Sequence, residues 1–475
     1  EDAAALLARA AAMLERRGDS IGRRAELHCA RGELLQRAGL GAEAGQALAH
    51  ASTLAAAVRR TDLIARSALD RGGAGVTILG TDPELSARLQ QGLAAIGEEH
   101  PALRVRLLAR LAIELAYDPD PARRDAISRE ALDLAHQIND PAAVAAALSA
   151  RHVTAWGPDG CEERLRVSGE MFELAERGGD RELALQARNW RIVDLLELGD
   201  GAAVRVELDQ YAELAARVRL PAFAWYVPLW RATLALLEGR LVHGIELSRR
   251  ALELGRQAGD ANAEVFYAEQ YLERMLVQGR IRDLDPTVGG MVADVADRAI
   301  SGPAWRAYRF TFAWWHAERG ELNQARADYQ EAVGDGLCTL PRDVNWLAAL
   351  SSAVEAAVLL GDGERGTELY RLLEPYTTRM VVTARGASHS GSVAYFAARA
   401  ASLSADPENA DRLFAEAIRA DEHLGAPALV IRDLHRHGEL LHSVGQHDRA
   451  IQALSAAAEL GGSLGLSPPQ TDLVR

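Results

Sequence analysis

Three side chains near the carboxyl end of the sequence have a spacing that could bind a metal ion. His435, Glu439 and His442 stand at i, i+4 and i+7, so on a helix they share one face. Imidazole and carboxylate groups are both ligands of zinc. Three ligands on one straight helix rarely converge on one ion, and no fourth ligand is evident nearby. We keep them as weak candidates within a solvated polar face, and the sequence predicts neither a metal nor a cofactor.

No sequence motif for covalent catalysis or for phosphate binding is complete. The sequence contains no lysine, which excludes a Walker A loop and a Schiff-base enzyme. The Gly-rich segment 71–80 lacks a full GxGxxG pattern, and we interpret it as close helix packing. Arg151, His152 and Asp159 have no nucleophile beside them. We therefore predict a protein that is not an enzyme.

Charge and cysteine content restrict the partners and the compartment. The chain of 475 residues has a formal net charge of −14, which argues against nonspecific binding to nucleic acid or to an anionic membrane. Its cysteines are three, far apart and without a CxxC pair. No stretch approaches a membrane span or a secretory leader. These features predict a reduced, cytoplasmic protein with no direct nucleic-acid or membrane contact.

The elements that must position any site repeat along the chain. Turn glycines such as Gly199 and Gly239, or Gly320 and Gly361, lie about 40 residues apart, with two apolar helical runs in each interval. The last unit places Gly438 where two helices would cross and Gly445 at the turn between them. This spacing resembles the tetratricopeptide pattern. It predicts an all-α, tetratricopeptide-like α-solenoid, a right-handed superhelix of antiparallel helix pairs in about 11 repeats.

The repeat boundaries divide one superhelix, 1–475, into segments. A partial helix or cap covers 1–24, and repeats cover 25–280, 281–376 and 393–465. Residues 281–303 contain Pro286, a Gly pair and Pro303, so we expect irregular structure there. Residues 377–392 form a longer loop with several β-formers, and 466–475 form a tail. The chain starts within the helical pattern, which suggests a fragment of a longer polypeptide.

The first helix of each tetratricopeptide unit lines the concave face, and this phase predicts a recognition groove. The groove combines aromatic rings with scattered charges, which suits a peptide or an amphipathic small molecule. The alternative is that most of these rings fill gaps between helices. The candidate binding residues are Asn189, Trp190, Arg191, Tyr226, Trp230, Phe266, Glu269, Glu273, Phe310, Trp314, Trp346, Tyr395 and Arg399.

Three stretches carry a closer family resemblance, at 150–200, 340–350 and 391–403 ("ARHVTAWGPDG", "LPRDVNWLAAL" and "GSVAYFAARAASL"). They resemble the carboxyl-terminal tetratricopeptide-like region of large bacterial signal-transducing ATPase regulators, which are often linked to a LuxR-type DNA-binding domain or a cyclase. The resemblance implies a sensor region that restrains an ATPase module lying upstream in the same polypeptide.

These observations favour a non-catalytic sensor domain of a transcription-linked ATPase regulator. It would bind a protein, a peptide or a small-molecule effector in its concave groove. One alternative is a free-standing scaffold for the assembly of protein complexes. A repeat-fold enzyme is a third hypothesis.

Overall fold

The computed structural model describes residues 2–16, 20–38, 40–71, 82–118, 120–278, 280 and 286–466. Most of them lie in α-helices, and successive helices pack against one another along the chain. The chain is an all-α, tetratricopeptide-like solenoid, as the repeat pattern predicts. Nearly all of the Gly-rich segment 71–80, and nearly all of the predicted tail, lie outside the described residues. Within them, no helix is both long and apolar enough to cross a bilayer.

The helices of the first half are α1 Asp2–Arg16, α2 Ile21–Arg37, α3 Gly41–Ala57, α4 Thr61–Arg71, α5 Pro83–Ile96, α6 Pro101–Glu114, α7 Pro121–Ile138, α8 Pro141–Thr154, α9 Cys161–Gly178, α10 Arg181–Leu198, α11 Gly201–Val218 and α12 Pro221–Ala224. Those of the second half are α13 Tyr226–Leu237, α14 Leu241–Gln257, α15 Ala263–Val277, α16 Pro286–Ile300, α17 Trp305–Glu318, α18 Leu322–Val333, α19 Trp346–Leu360, α20 Gly363–Leu373, α21 Val393–Leu403, α22 Pro407–Leu424, α23 Pro427–Ser443 and α24 His447–Leu464.

Local sequence explains where many helices begin and end. The pair Asp-Pro opens α7, α8 and α22, because the carboxylate accepts backbone N–H groups of the first turn and proline suits the first helical position. Gly199, Gly361 and Gly445 have φ of 76°, 72° and 79°, which is the left-handed conformation expected after a helix. The predicted turn positions are thus confirmed at these glycines.

Close helix crossings depend on small residues. A Cβ atom added to Gly438 would lie 2.7 Å from Cγ of Leu454, which stands on the neighbouring helix α24. This is the crossing that the last repeat predicts. The described part of the stretch predicted to be irregular, 281–303, is largely the helix α16, because Pro286 stands at its first turn, where a missing N–H removes no bond.

Distant repeats also touch, so the superhelix is tightly wound. Arg205 of α11 donates from Nη1 to the carbonyl oxygen of Leu424 at 3.2 Å and from Nη2 to Glu238 at 3.0 Å. At another place, Asp159 accepts hydrogen bonds from Arg342 at 2.8 Å and from the Tyr376 hydroxyl at 2.6 Å. Contacts between such remote positions mean that later repeats pack on earlier ones.

The segment 377–392, predicted as a loop, contains an antiparallel β-hairpin. Strand β1 covers Met380–Thr383 and strand β2 covers Ser388–Ser392, paired from Met380↔Ser392 to Thr383↔Ser388. The register shifts between Val381 and Val382, which is a β-bulge. The β-formers noted in the sequence explain strand β1, whereas β2 (Ser-His-Ser-Gly-Ser) contains none and is a strand through its pairing with β1. We call Met380–Ser392 the internal hairpin.

Candidate functional site: the concave channel and its internal hairpin

The internal hairpin lies inside the curve of the solenoid. It contacts α10, α13, α15, α19 and α21, which are the first helices of their pairs and line the concave face in the predicted repeat, and it also contacts α22. Met380 and Ala387 belong to one buried cluster with Trp230 of α13 and Leu429 of α23. A segment of the chain itself thus occupies the channel that the sequence predicts as a recognition groove.

The side chain of Thr233, on α13, holds the tip of the hairpin by bonding to main-chain atoms of the tip. Its single hydroxyl proton has three acceptors in reach, the carbonyl oxygens of Ala387 at 3.0 Å, of Gly386 at 3.1 Å and of Leu229 in its own helix at 3.3 Å. Gln270 of α15 donates from Nε2 to Thr233 Oγ1 at 3.1 Å. This bond orients the hydroxyl toward the hairpin, because its oxygen then acts as the acceptor.

Two further side chains, those of Arg432 and Glu273, hold the second strand by bonding to its main chain. Arg432 of α23 donates from Nη1 to the carbonyl oxygen of Ser390 at 2.7 Å. The backbone N–H of His389 donates to Oε2 of Glu273, on α15, at 3.3 Å. Contacts to main-chain groups recognise an extended backbone, whatever its side chains are. The inner wall therefore has the chemistry of a peptide-binding surface.

The surrounding helices also contact one side chain of the tip, that of Arg385. The guanidinium carbon of Arg385 lies 5.1 Å from the centre of the Trp156 ring, within the range of a cation–π contact. The hydroxyl of Tyr226 forms a hydrogen bond with Arg385 as well. Arg385 is 7% exposed, so these contacts replace most of its hydration.

The tip has an unusual backbone. Ala384, Arg385 and Gly386 have φ of 46°, 55° and 88°, and left-handed conformations are unfavourable for residues with a Cβ. A Cβ atom on Gly386 would lie 3.1 Å from Cζ3 of Trp230 and 3.2 Å from Cδ1 of Leu196. The surrounding helices therefore hold the tip in a conformation that costs free energy.

A small pocket with a cavity volume of about 30 Å³ lies beside the tip. Trp156 and Arg385 line it together with the carboxylates of Glu197 and Asp343. Burial raises the pKa of Asp343 to about 6, although the neighbouring Arg124 opposes the shift. The pocket thus joins an aromatic ring to acidic groups, a combination that suits a cation.

Two carboxyl groups of α15 face the same channel. Burial raises the pKa of Glu269 to about 7. Burial and the nearby Glu269 raise the pKa of Glu273 to about 8, against hydrogen bonds from Ser388 and His389. Burial also lowers the pKa of the His389 imidazole to about 4. Near neutral pH the hairpin therefore lies against carboxyl groups that keep much of their protonated form.

A charge network supports the wall beneath the pocket. Asp194 of α10 pairs with Nε2 of His152 and with Nε of Arg164, both at 2.9 Å, and Arg164 also pairs with Glu197. The His152 ring stacks on Trp190 with 4.3 Å between ring centres. All ionic partners of Asp194 are buried, so this network fixes α8, α9 and α10 rather than offering a free acid or base.

Three of the predicted binding residues contact the internal hairpin, and a fourth contacts an arginine that binds it. Trp230 packs on Gly386, Tyr226 contacts Arg385, and Glu273 accepts the N–H of His389. Tyr395 lies under Arg432, whose guanidinium carbon is 3.6 Å from the ring centre. The structure brings these residues together around a segment of the chain.

Other predicted aromatic residues pack between helices. Phe266 stacks on Trp225 at 5.7 Å, and Phe310 lies edge-on to Tyr329 at the same distance. Trp346 packs on Tyr376 at 5.3 Å. These rings fill the core, which is the alternative that the sequence leaves open. Trp190, described above, is buried in the same manner.

The predicted polar residues pair mostly with neighbouring helices. Arg191 pairs with Glu207 at 3.2 Å and Arg399 with Glu355 at 3.1 Å. Trp314 donates from Nε1 to Glu318 at 3.2 Å.

Two further polar candidates lie on α10 and α15. Asn189 is buried beside the Tyr211 hydroxyl. Glu269 stands near Tyr308, on the channel side of α15.

The weak metal candidates do not converge. His435 Nε2 lies 3.6 Å from Glu439 Oε1, but Glu439 also pairs with Arg436 at 2.8 Å. The His442 ring packs instead on His447 with 5.0 Å between ring centres. Among the described residues, no group of three His, Cys, Asp or Glu side chains could hold a metal ion.

Sequence reasoning missed Thr233, Arg385 and Arg432 as site residues. Thr233 and Arg432 lie within ordinary helical patterns, and only the long interval around 377–392 signalled the insertion.

Ser20 stands in a GxSxG pattern (18–22), which marks a nucleophile in α/β-hydrolases. Here its side chain caps α2 by accepting the N–H of Arg23 at 3.3 Å, a structural role.

Comparisons with known proteins find no matching family model and no matching curated sequence. Among solved structures, the crystal structure of yeast Tom70 is 12% identical, with 98% of this chain and 99% of that chain covered and a TM-score of 0.33. A circular tandem repeat protein is 16% identical, with 97% and 90% covered and a TM-score of 0.15. At these TM-scores neither likeness carries an argument about this chain.

Proposed function

We propose that this chain is a non-catalytic regulatory module that binds a protein or effector on the inner wall of its superhelix. The internal hairpin holds that wall in a closed state. One observation carries the proposal: polar side chains of three inner helices hydrogen-bond to the main chain of a segment lying in the channel. Such contacts suit an extended segment, so a peptide segment of a partner is the preferred ligand.

The regulatory step is a competition. A partner that uses the same wall must displace the hairpin, and displacement relieves the unfavourable φ of Ala384 and Arg385. Losing the hairpin also removes contacts that join α10, α13, α15 and α19, so the curvature of the solenoid can change. The resemblance noted from the sequence supports a signal-transducing ATPase in the same cytoplasmic polypeptide as the receiver of that change.

The test loosens the hairpin without altering the wall. Alanine at Gly386 and Gly391 adds a Cβ to residues with φ of 88° and 96°, close to Trp230 and Arg432. The control pair is Gly178→Ala with Gly462→Ala, where an added Cβ meets nothing within 4 Å. Both variants and the unaltered chain are panned against a phage-displayed random peptide library, after circular dichroism confirms their helix content.

We expect the loosened variant to enrich peptides that the control pair and the unaltered chain do not enrich. Equal enrichment on all three, or none on any, contradicts the proposal. Should the loosened variant lose its helix content, Arg385→Ala replaces it. That change removes tip contacts without adding atoms to the channel, and the same outcomes apply.

A further inference from the structure

The partner segment can be specified further, because the internal hairpin shows what the channel recognises. Glu273 and Arg432 bind main-chain atoms of strand β2, and any extended peptide could offer these, whereas Thr233 binds carbonyl groups of the tip. Selectivity must therefore come from side-chain contacts. Around the tip, the side chain with the most specific contacts is that of Arg385.

The surroundings of Arg385 fit a guanidinium group. Trp156 offers its ring face at 5.1 Å and Tyr226 offers a hydroxyl. Glu197 and Asp343 line the same pocket, and because Glu197 is paired with Arg164, Asp343 is the carboxyl group that remains for an entering cation. A planar guanidinium stacks on an aromatic ring and binds oxygen atoms at its edge, which a lysine ammonium cannot do in the same geometry.

The other cation of the pocket is already engaged. Arg164 pairs with Asp194 and Glu197, and from Nη1 it also donates to the carbonyl oxygens of Ala155 and Gly157, at 3.2 and 3.3 Å. This arginine is part of the wall and leaves the space over Trp156 to a group that enters from the channel.

We infer that the partner presents an extended segment with an arginine, and that this arginine takes the place of Arg385 over Trp156 while Glu273 and Arg432 bind the partner's main chain. The internal hairpin is then a built-in mimic of the partner. A linear segment can reach the pocket without the left-handed turn at 384–386, which gives it an advantage over the hairpin. This inference rests on the proposed function, since it uses the same channel.

The experiment measures fluorescence anisotropy of labelled peptides with the full-length Gly386→Ala/Gly391→Ala chain. The first peptide is MVVTARGASHSGS, the sequence of residues 380–392. The second and third have alanine or lysine in place of the arginine. We expect the arginine peptide to bind about tenfold more tightly than the alanine peptide, with the lysine peptide between them.

A variant of the wall assigns the preference to the pocket. Adding Trp156→Leu to the loosened chain should reduce the preference for arginine to less than about threefold while main-chain binding persists. Trp315→Leu is the matched control, because Trp315 lies on α17 and its ring packs against Arg319. It should leave the preference unchanged.

The outcomes separate the inference from the proposed function. Equal affinity of the three peptides, or library-selected peptides that bind without arginine, overturns the inference and leaves the proposed function standing. If neither these peptides nor any library peptide binds, both are overturned.

Discussion

Gly391 of the internal hairpin lies directly against Arg432 of α23. A Cβ atom at position 391 would be 2.7 Å from Nη2 of Arg432 and 3.1 Å from Oδ2 of Asp421, and the φ of Gly391 is 96°. Both the backbone conformation and the space therefore require glycine. Arg432 reaches the carbonyl oxygen of Ser390 because no side chain stands at 391.

This contact predicts that replacing glycine by alanine has opposite effects on stability at positions 391 and 462. Gly391→Ala should lower the free energy of unfolding by about 1–3 kcal/mol, through strain and the displaced Arg432. Gly462 lies within α24, where an added Cβ meets nothing within 4 Å. Gly462→Ala should therefore raise the free energy of unfolding by about 0.5–1 kcal/mol. Urea denaturation followed by circular dichroism measures both, and a stabilised Gly391→Ala chain contradicts the assigned contact.

Thr233 should hold the tip of the hairpin in place. Thr233→Val keeps the shape but leaves the carbonyl oxygens of Gly386 and Ala387 without this donor, a loss of about 1–3 kcal/mol. Hydrogen exchange measured by mass spectrometry should show faster exchange across 384–389. Thr53→Val is the control, since that exposed hydroxyl donates only to Ala49 of its own helix. Unchanged exchange in the Thr233 variant argues against the contact.

Stability should fall with rising pH because of Glu273. Burial raises its folded-state pKa from 4.5 to about 8, so the folded state retains a proton that the unfolded state releases. The resulting stability is complete below about pH 4.5 and is lost as the pH rises through about 8. Glu273→Gln should remove this dependence and make the chain more stable than the wild type at pH 8, by more than about 1 kcal/mol.

Unfolding curves recorded between pH 5 and pH 8.5 test that expectation. The groups facing Glu273 are Glu269, Ser388, His389 and Arg432, and of these Glu269 also has a raised pKa. Glu269→Gln serves as a second variant and should remove a smaller part of the slope. Parallel pH profiles for the wild type and both variants contradict the assignment.

At acid pH we expect stability to fall because of a different carboxylate, that of Asp194. Burial would raise the pKa of Asp194, but His152 and Arg164 hold it below its ordinary value. A lowered pKa gives stability that is present above about pH 4 and is lost as the pH falls further. Asp194→Asn should cost about 3 kcal/mol at pH 7 and show a weaker loss between pH 5 and 3. An equally steep acid profile in the variant would count against the network.

The sequence was sufficient for the repeat and for its turns. Glycines such as Gly199, Gly361 and Gly445 predict helix ends because a left-handed residue is needed there, and the structure confirms them. Gly438 predicts the helix crossing with Ala450 for a similar steric reason, and a Cβ on Gly438 would lie 3.3 Å from the Ala450 carbonyl oxygen. Both are local features, so a periodic pattern determines them.

Local sequence patterns could not predict which segment of the chain occupies the channel. The β-formers in 377–392 indicate a strand, but the position of that strand depends on the curvature of the whole superhelix. Thr233 and Arg432 are far from the hairpin in sequence and follow helical periodicity, so nothing local distinguishes them. For the same reason, the phase of the inner face predicts Trp230 and Glu273 but not what they contact.

Photo-crosslinking from Met380 tests most directly whether the hairpin lies in the channel. The chain has five methionines, and photo-methionine replaces them with little change of shape. The Met380 methyl group lies 2.7 Å from the position of a Cβ built on Gly199. After irradiation and digestion, we expect mass spectrometry to find Met380 joined to the peptide containing Gly199. Crosslinks from Met380 confined to residues 365–400 would contradict a hairpin held inside the superhelix.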